Sequence, residues 1–247
     1  HPVAHSFPTR RSSDLFRGPA LDRPVNVKSV SKTIVATLAG IALDRGVLTG
    51  VDQPVAPLLG PLVPAGADPR VEAITIGHLL TMQAGLERTS GANYGGWVQS
   101  GNWVADALAR PFVAEPGARM LYSTGSYHLL AVALARAAGR DLLGLARDWL
   151  GAPLGAAIPP WTRDPQGHYM GGNNMALAPL GLARFGEMWR RRGRFDGARV
   201  VSAAWVDAAW TPRTRSPWSG DRYGYGWFLT RLGGEPVAYA RGYGGQM

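Results

Sequence analysis

The sequence predicts a mixed α/β (α+β) fold in which a helix-rich middle precedes an antiparallel β tail. Apolar residues recur at helical spacing from Ser29 to Asp44, and further amphipathic segments follow. The tail alternates aromatic and small residues around a Gly-Gly pair, which is typical of a β-hairpin. We therefore predict a helical region over about residues 65–200 and a β tail over about residues 220–247.

The individual elements follow from local signals along the chain. Gly46 stands where a C′ glycine would end the first helix, the proline-punctuated segment Val47–Pro64 predicts a loop, and Thr75 is a candidate N-cap. The predicted helices are, in chain order, Ser29–Asp44, a short helix within Ile74–Leu86, Asn102–Arg110, a strong helix from about Ser126, Asp141–Gly155, one within Gly171–Gly193 behind a glycine loop, and Val200–Trp210.

Composition excludes several classes of function. The chain has 247 residues, 46% hydrophobic and 17% charged, which is a globular profile. It contains no cysteine, so disulfides and thiolate metal sites are excluded. The net charge of +9 comes mostly from scattered arginines, without the aromatic-interleaved basic stripe of a nucleic-acid binder. No apolar run reaches the ~20 residues of a transmembrane helix.

Both ends of the chain are predicted to be cut. Residues 1–15 contain SFPTRRSSDL, which resembles translated adapter sequence, so we assign the domain to residues 16–247. The end at GYGGQM shows no turn or capping signal, so we expect a fragment that is poorly stable or inactive by itself. The compartment, exported or cytoplasmic, and the oligomeric state stay unassigned.

The stretch NVKSVSKTI holds the most reactive combination of side chains. Ser29 and Lys32 are three residues apart at a predicted helix start, so they share one face. A serine hydroxyl needs a base to become a nucleophile, and a buried lysine whose pKa falls toward neutrality can serve. Lys28 and Lys32 are the chain's only lysines. The alternative is an exposed first-turn serine without a catalytic role.

Two later segments could complete such a site. Tyr122 precedes a strong helix and could direct its phenol at the pair, or be an ordinary core tyrosine. Tyr243, Gly244 and Gly245 could let a ligand lie against backbone, or form a plain turn.

Other polar and aromatic residues have weaker signals. Asn93, Tyr94, Trp97 and Trp103 beside a glycine-rich loop could shape an acyl or aromatic pocket, or simply pack. Asn173 and Asn174 could line the site or form a turn. His78 and His128 are expected at a helix surface or partly buried rather than catalytic, and the five histidines lack metal-ligand spacing.

The order of these motifs resembles the serine β-lactamase and penicillin-recognising hydrolase superfamily. The chain is most similar to its class C β-lactamase-related branch, which includes esterases, D-amino-acid peptidases and amide hydrolases. The blocks that carry the resemblance are SxxK with the helix TIVATLAGIALDRGVL, TIGHLLTMQAGL, EPGARMLYSTGSYHLL and GGNNMALAPLGLARFGEMW. It implies a β-lactamase/transpeptidase-like fold, with an antiparallel sheet flanked by helices plus an all-helical region.

The resemblance also implies roles for individual residues. Ser29 would be the acylated nucleophile, Lys32 its base, and Tyr122 the proton shuttle to the leaving group. The third motif of the superfamily would fall on Tyr243, Gly244 and Gly245. The oxyanion hole would use the N–H groups of Ser29 and Gln246. No metal or cofactor is implied.

Two departures bear on the substrate. Thr124 stands where the branch usually has asparagine in its substrate-binding motif, and Tyr243 replaces a cationic or histidine position that helps to hold a β-lactam carboxylate. Arg241 could compensate. We therefore expect a small-molecule ester, amide or β-lactam substrate, with esterase or amidase activity favoured over β-lactamase activity. The alternative is a non-catalytic ligand-binding or sensor domain of the same fold.

Overall fold

The helix that carries Lys32, α1 (Val30–Asp44), forms the centre of the computed structural model, which describes residue 18 and residues 20–244. Every residue from Val30 to Ala42 is buried, so this helix is enclosed on all sides by the rest of the fold. It confirms the predicted Ser29–Asp44 helix, and Gly46 adopts the positive φ of +68° expected of a C′ glycine.

Helices dominate the middle of the chain, as predicted. The further α-helices are α2 (Ala56–Leu59), α3 (Ile76–Leu80), α4 (Tyr94–Gln99), α5 (Trp103–Leu108), α6 (Thr124–Ala138), α7 (Leu142–Ala146), α8 (Ala152–Leu154), α9 (Pro179–Arg190) and α10 (Ala203–Trp210). A π-helical turn over Arg147–Gly151 joins α7 to α8, and short 3₁₀ helices cover Gly60–Leu62, Pro69–Ala73 and Gly91–Asn93.

Several boundaries differ from the sequence prediction. The loop predicted over Val47–Pro64 contains α2, whose Pro57 lies in the first turn, where a missing N–H does no harm. The helix α6 begins two residues before Ser126. At α3, Thr75 is the N-cap as predicted, and its hydroxyl accepts a hydrogen bond from His78 N–H at 3.2 Å.

The strands form three antiparallel groups. Strand β1 (Val25–Asn26) pairs with β2 (Ala176–Leu177), and β3 (Arg194–Phe195) pairs with β4 (Ala198–Arg199). The largest sheet is a four-stranded meander that comprises β5 (Thr214–Arg215), β6 (Arg222–Tyr223), β7 (Phe228–Leu232) and β8 (Glu235–Tyr239). The predicted hairpin is confirmed in β7 and β8, whose turn residues Gly233 and Gly234 both have positive φ.

The sheet packs directly against α1. Gly226, with φ +80°, accepts a hydrogen bond from Thr33 Oγ1 at 2.7 Å through its carbonyl oxygen. A Cβ at Gly226 would lie only 2.5 Å from the Ala36 Cβ, so glycine is required at this contact. The sheet is thereby held beside the first turns of α1.

A second cluster surrounds His128, and here the expectation of a surface or partly buried histidine is wrong. His128 is fully buried, and its ring lies 5.8 Å from that of Trp97 and 5.6 Å from that of Trp103. Its Nε2 contacts the equally buried Asp164 carboxylate at 3.0 Å. Trp97 and Trp103 are buried in this cluster, so of their two alternatives the structure favours packing.

Candidate active site

Ser29 and Lys32 meet at the start of α1. Ser29 occupies the N-cap position, and Lys32 Nζ lies 3.0 Å from Ser29 Oγ. The predicted spacing on one helix face is therefore realised as a direct contact between the hydroxyl and the amine. Ser29 is half-buried, whereas Lys32 is only 2% exposed.

The turn before Ser29 is held in an unusual backbone conformation. Lys28 has φ +51°, which is uncommon for a residue other than glycine. The Asn26 Oδ1 atom accepts a hydrogen bond from Lys28 N–H at 2.8 Å, and Ser31 Oγ donates one to the Lys28 carbonyl at 2.6 Å. These bonds stabilise the turn that leads into Ser29.

Lys32 has two further polar partners from distant parts of the chain. Its Nζ lies 3.3 Å from Thr124 Oγ1 and donates a hydrogen bond to the carbonyl oxygen of Gly172. No carboxylate pairs with it among the residues that the structure describes. Burial without a counter-charge lowers the pKa of Lys32 from 10.5 to about 7.

These three contacts match the hydrogen-bonding capacity of a neutral amine. Such an amine has two N–H donors and one lone pair, and the Gly172 carbonyl can only accept. Thr124 Oγ1 lies 3.0 Å from Ser90 Oγ, to which its hydroxyl can donate, so it can accept the second N–H of Lys32. The lone pair then faces Ser29 Oγ, which is the arrangement that a general base needs.

Tyr122 lies close to the same amine. Its ring centroid is 4.9 Å from Lys32 Nζ, and its ring stacks on that of Phe228 in the sheet. Burial raises the pKa of the Tyr122 phenol, while the nearby Ser29 hydroxyl and the positive charge of Arg241 oppose that rise. Serine, lysine and tyrosine therefore share one site.

The loop that contains Gly172 also lies against the Lys32 amine. The sequence predicted this segment only as a glycine loop. A Cβ on Gly172 would lie 2.7 Å from the Thr124 carbonyl oxygen, so glycine allows this close approach. The loop is tied to the turn before Ser29 by the bond from Asn26 Nδ2 to Asn174 Oδ1 at 3.0 Å. Asn174 therefore supports the site instead of forming a simple turn.

The first turn of α6 receives its hydrogen-bond acceptors from a remote loop, which the sequence did not reveal. Ser90 Oγ accepts from Thr124 N–H at 2.9 Å, and Thr89 Oγ1 accepts from Gly125 N–H at 2.7 Å. Thr124 is 4% exposed, so its hydroxyl contacts Lys32 and Ser90 instead of opening to solvent. Its predicted role in substrate binding stays a prediction.

The predicted oxyanion residues are only partly within the described chain. Gly245 and Gln246 lie outside it, whereas Tyr243 is 87% exposed and Gly244 has φ +86°. Among residues 20–244, the Ser29 N–H donates to no backbone acceptor. The described part of the chain contains no cluster of three histidine or acidic side chains that could hold a metal ion.

Comparison with known proteins identifies the family. The family model described as Beta-lactamase matches residues 17–247. The chain belongs to the Beta-lactamase family. A search of curated proteins finds no significant match. No described helix is both long and apolar enough to cross a membrane.

Solved structures share the β-lactamase/transpeptidase-like fold at low sequence identity. An octameric penicillin-binding protein homologue from Pyrococcus abyssi superposes with TM-score 0.69 at 22% identity over 89% of this chain. A D-stereospecific amidohydrolase from Streptomyces sp. superposes with TM-score 0.70 at 19% identity over 90% of this chain. A penicillin-binding protein homologue from Caulobacter crescentus superposes with TM-score 0.72 at 20% identity over 95% of this chain. This chain spans 56%, 75% and 75% of those proteins, respectively.

Proposed function

We propose that this Beta-lactamase-family chain is a serine hydrolase that acts through a Ser29 acyl-enzyme on a carboxylic ester, amide or β-lactam. The observation that carries the proposal is the contact of 3.0 Å between Ser29 Oγ and a buried Lys32 Nζ whose pKa is lowered to about 7. A lysine in this state is a base at neutral pH.

The reaction has two halves, acylation of Ser29 and hydrolysis of the acyl-enzyme. Ser29 Oγ bonds to the substrate carbonyl carbon while its proton passes to Lys32 Nζ. The bond to the leaving group then breaks, and the Tyr122 phenol protonates the departing atom and recovers a proton from Lys32. Water next attacks the acyl carbon by the reverse route and regenerates the Ser29 hydroxyl. The Ser29 N–H would stabilise the oxyanion, with Gln246 as the predicted second donor.

Esterase or amidase activity is favoured over β-lactam hydrolysis. Tyr243 supplies no positive charge at the position where relatives hold a β-lactam carboxylate, and its side chain is 87% exposed. One structural neighbour is a D-stereospecific amidohydrolase, and another is a hydrolase with promiscuous acyltransferase activity. Both activities are consistent with acyl transfer on this fold, without fixing the substrate.

Intact mass spectrometry tests the proposal. The chain is incubated with a fluorophosphonate and, separately, with a penicillin, beside its Ser29→Ala variant. A matched control is Ser100→Ala, whose hydroxyl donates a hydrogen bond to the Trp97 carbonyl at 2.8 Å. We expect a phosphonate adduct on the parent and on Ser100→Ala but not on Ser29→Ala. The penicillin sample reports whether β-lactams acylate the site.

Folding has to be verified in parallel by circular dichroism. A folded chain that forms no Ser29-dependent adduct would overturn the hydrolase proposal and leave a ligand-binding or sensor domain of the same fold.

A further inference from the structure

Ser90 occupies the N-cap position of the 3₁₀ helix Gly91–Asn93, where a serine usually accepts a hydrogen bond from the turn that follows it. Its side chain makes no such cap bond. Ser90 Oγ instead accepts from Thr124 N–H at 2.9 Å, in the first turn of α6. The hydroxyl group of Ser90 is therefore committed to a segment 34 residues further along the chain.

The N-cap residue of α6 shows the reciprocal arrangement. Ser123 makes no side-chain cap bond to α6, and its Oγ accepts from Thr89 N–H at 3.1 Å. Thr89 Oγ1 in turn accepts from Gly125 N–H at 2.7 Å. The loop and the first turn of α6 thus exchange hydrogen-bond acceptors, which fixes the position of Ser90 Oγ relative to Thr124.

A chain of two hydroxyl groups runs from Ser90 to the amine of Lys32. Ser90 Oγ lies 3.0 Å from Thr124 Oγ1, which lies 3.3 Å from Lys32 Nζ. Thr124 and Lys32 are buried, whereas Ser90 is half-buried. Within the part of the chain that the structure describes, Thr124 Oγ1 forms hydrogen bonds with no other group. Its proton therefore points either to Ser90 or to Lys32.

The two directions of this chain differ in what they leave for Ser29. When the Thr124 hydroxyl donates to Ser90 Oγ, it accepts an N–H of Lys32, and the lone pair of the neutral amine faces Ser29 Oγ. When the Thr124 hydroxyl donates to Lys32, the lone pair is occupied and the amine can only donate to Ser29. A general base requires the first direction.

We propose that Ser90 is a positioning residue that keeps Thr124 an acceptor toward Lys32, an inference that rests on the proposed hydrolase function. Without the Ser90 oxygen, the buried Thr124 hydroxyl has the Lys32 lone pair as its remaining acceptor. The neutral amine is then held in the direction that cannot take the Ser29 proton. The protonated amine is also disfavoured, because it donates to Thr124 and leaves the threonine hydroxyl without an acceptor.

The pKa of Lys32 can be measured without turnover. Lys28 and Lys32 are the chain's only lysines, so ¹³C labelling at lysine Cε gives two NMR signals, which Lys28→Arg assigns. We expect Ser90→Ala to lower the pKa of Lys32 by about 0.5–1, the effect of one hydrogen bond, and to leave that of Lys28 unchanged. The other titratable or charged groups near this amine, Tyr122 and Arg241, are the same in every variant compared.

Fluorophosphonate labelling of Ser29 measures the effect on the base. Ser90→Ala should lower the labelling rate above pH 8 about three- to tenfold, because Thr124 then competes for the lone pair of Lys32. Ser90→Thr retains the hydroxyl on a backbone whose φ of −106° and ψ of 168° suit a β-branched residue. It should therefore titrate and label like the unmodified chain.

The matched control is Thr89→Ala, which removes the acceptor of the neighbouring N–H of α6 from the same loop. Both alanine variants lose a bond to the first turn of α6, so both should have a lower Tm. Only Ser90→Ala should change the pKa of Lys32. In a Thr124→Val background, where the intervening hydroxyl is absent, Ser90→Ala should have no further effect on labelling.

Failure of the positioning role can be distinguished from failure of the hydrolase function. A pKa of Lys32 that falls in Ser90→Ala but not in Thr89→Ala supports the positioning role even where no adduct forms on Ser29. An adduct that forms at the parent rate in Ser90→Ala, with the pKa of Lys32 unchanged, overturns the positioning role while the hydrolase proposal stands. An equal change of this pKa in both alanine variants would also overturn it, since it would indicate a displaced helix start.

Discussion

The carbonyl oxygen of Gly172 accepts a hydrogen bond from Lys32 Nζ, although 140 residues separate them in sequence. This bond fixes one N–H of the amine. The second N–H and the lone pair of the amine are then directed toward Thr124 Oγ1 and Ser29 Oγ, respectively. The backbone of the glycine loop thus orients the proposed base, with no acidic partner among the described residues.

Substitution of Gly172 by alanine should therefore reduce both activity and stability. The new Cβ would lie 2.7 Å from the Thr124 carbonyl oxygen and 2.8 Å from Thr124 Cγ2, so the loop has to move and its carbonyl with it. We expect the rate of fluorophosphonate labelling to fall about 10- to 100-fold, since misplacement by about 1 Å is known to have such effects. The overpacked site should also destabilise the fold by about 1–3 kcal/mol.

Gly186→Ala is the matched control for that measurement. Gly186 is exposed in α9, and a Cβ there would meet nothing within 4 Å. This variant should label at the parent rate and be more stable by up to about 1 kcal/mol, the difference in helix propensity. Equal labelling of both variants and the parent would contradict an orienting role for the Gly172 carbonyl.

Acylation should increase with pH around neutrality. The pKa of Lys32 is lowered to about 7, and only the neutral amine can take the Ser29 proton. Labelling rates should therefore fall below about pH 7 and level off above it, with Lys28→Arg showing the same profile. Lys32→Arg should lose about 10²–10⁴-fold at every pH, because arginine stays protonated. A rate that is flat from pH 5 to 9 would exclude Lys32 as the base.

Replacement of Lys32 by methionine should stabilise the protein while it abolishes activity. Because the folded pKa lies below the unfolded value of 10.5, the unfolded chain binds more protons between about pH 7 and 10.5, and stability rises with pH in that window. At pH 7 the buried amine lowers stability by about 4 kcal/mol. Loss of its hydrogen bonds offsets part of the gain, about 1–3 kcal/mol.

Urea unfolding at pH 7 and pH 10 checks this prediction. The free energy of unfolding of Lys32→Met should exceed that of the parent at pH 7, and the gap should narrow at pH 10. A variant that is less stable than the parent at both pH values would contradict a desolvated Lys32.

Much of this arrangement could be predicted from local sequence. The contact between Ser29 and Lys32 follows from their spacing on a helix, because residues three apart share a face. The turn at Gly233 and Gly234 follows from the backbone freedom of glycine. Thr75 was recognisable as an N-cap from its hydroxyl and its place before an apolar segment.

The missed features depend on contacts between distant segments. Nothing near Gly172 in sequence indicates that its carbonyl meets Lys32, and nothing near Ser90 indicates that it accepts from Thr124 N–H. His128 lies on an apolar helix, yet its burial depends on Trp97 and Trp103 from another part of the chain. Local periodicity contains no information on which segments will pack together.

Tyr122→Phe tests proton transfer to the leaving group. The phenylalanine ring preserves the stacking on Phe228 and the edge contact with Trp218, so the fold should be retained. Amides need protonation of the leaving atom more than nitrophenyl esters do. We therefore expect kcat/KM to fall about 10²–10⁴-fold for an amide and much less for the ester. An equal loss on both substrates would point to a packing defect instead of a lost proton donor.

The buried pair of His128 and Asp164 should make stability sensitive to acid. Burial lowers the pKa of His128 despite the opposing effect of Asp164, and hydrogen bonds from His128 and the His168 backbone lower the pKa of Asp164 although burial opposes this. The unfolded chain therefore binds more protons than the folded chain at acidic pH. For His128 this difference develops as the pH falls below 6.5, and for the Asp164 carboxyl as it falls below 3.8. Stability from the pair is therefore present at pH 7 and declines progressively on acidification.

The Tm of the parent should drop between pH 7 and 5. The His128→Gln variant keeps a hydrogen-bond donor for Asp164, so it should have a lower Tm at pH 7 and a Tm that changes less with pH. Parallel profiles for the two proteins would mean that other groups determine acid sensitivity.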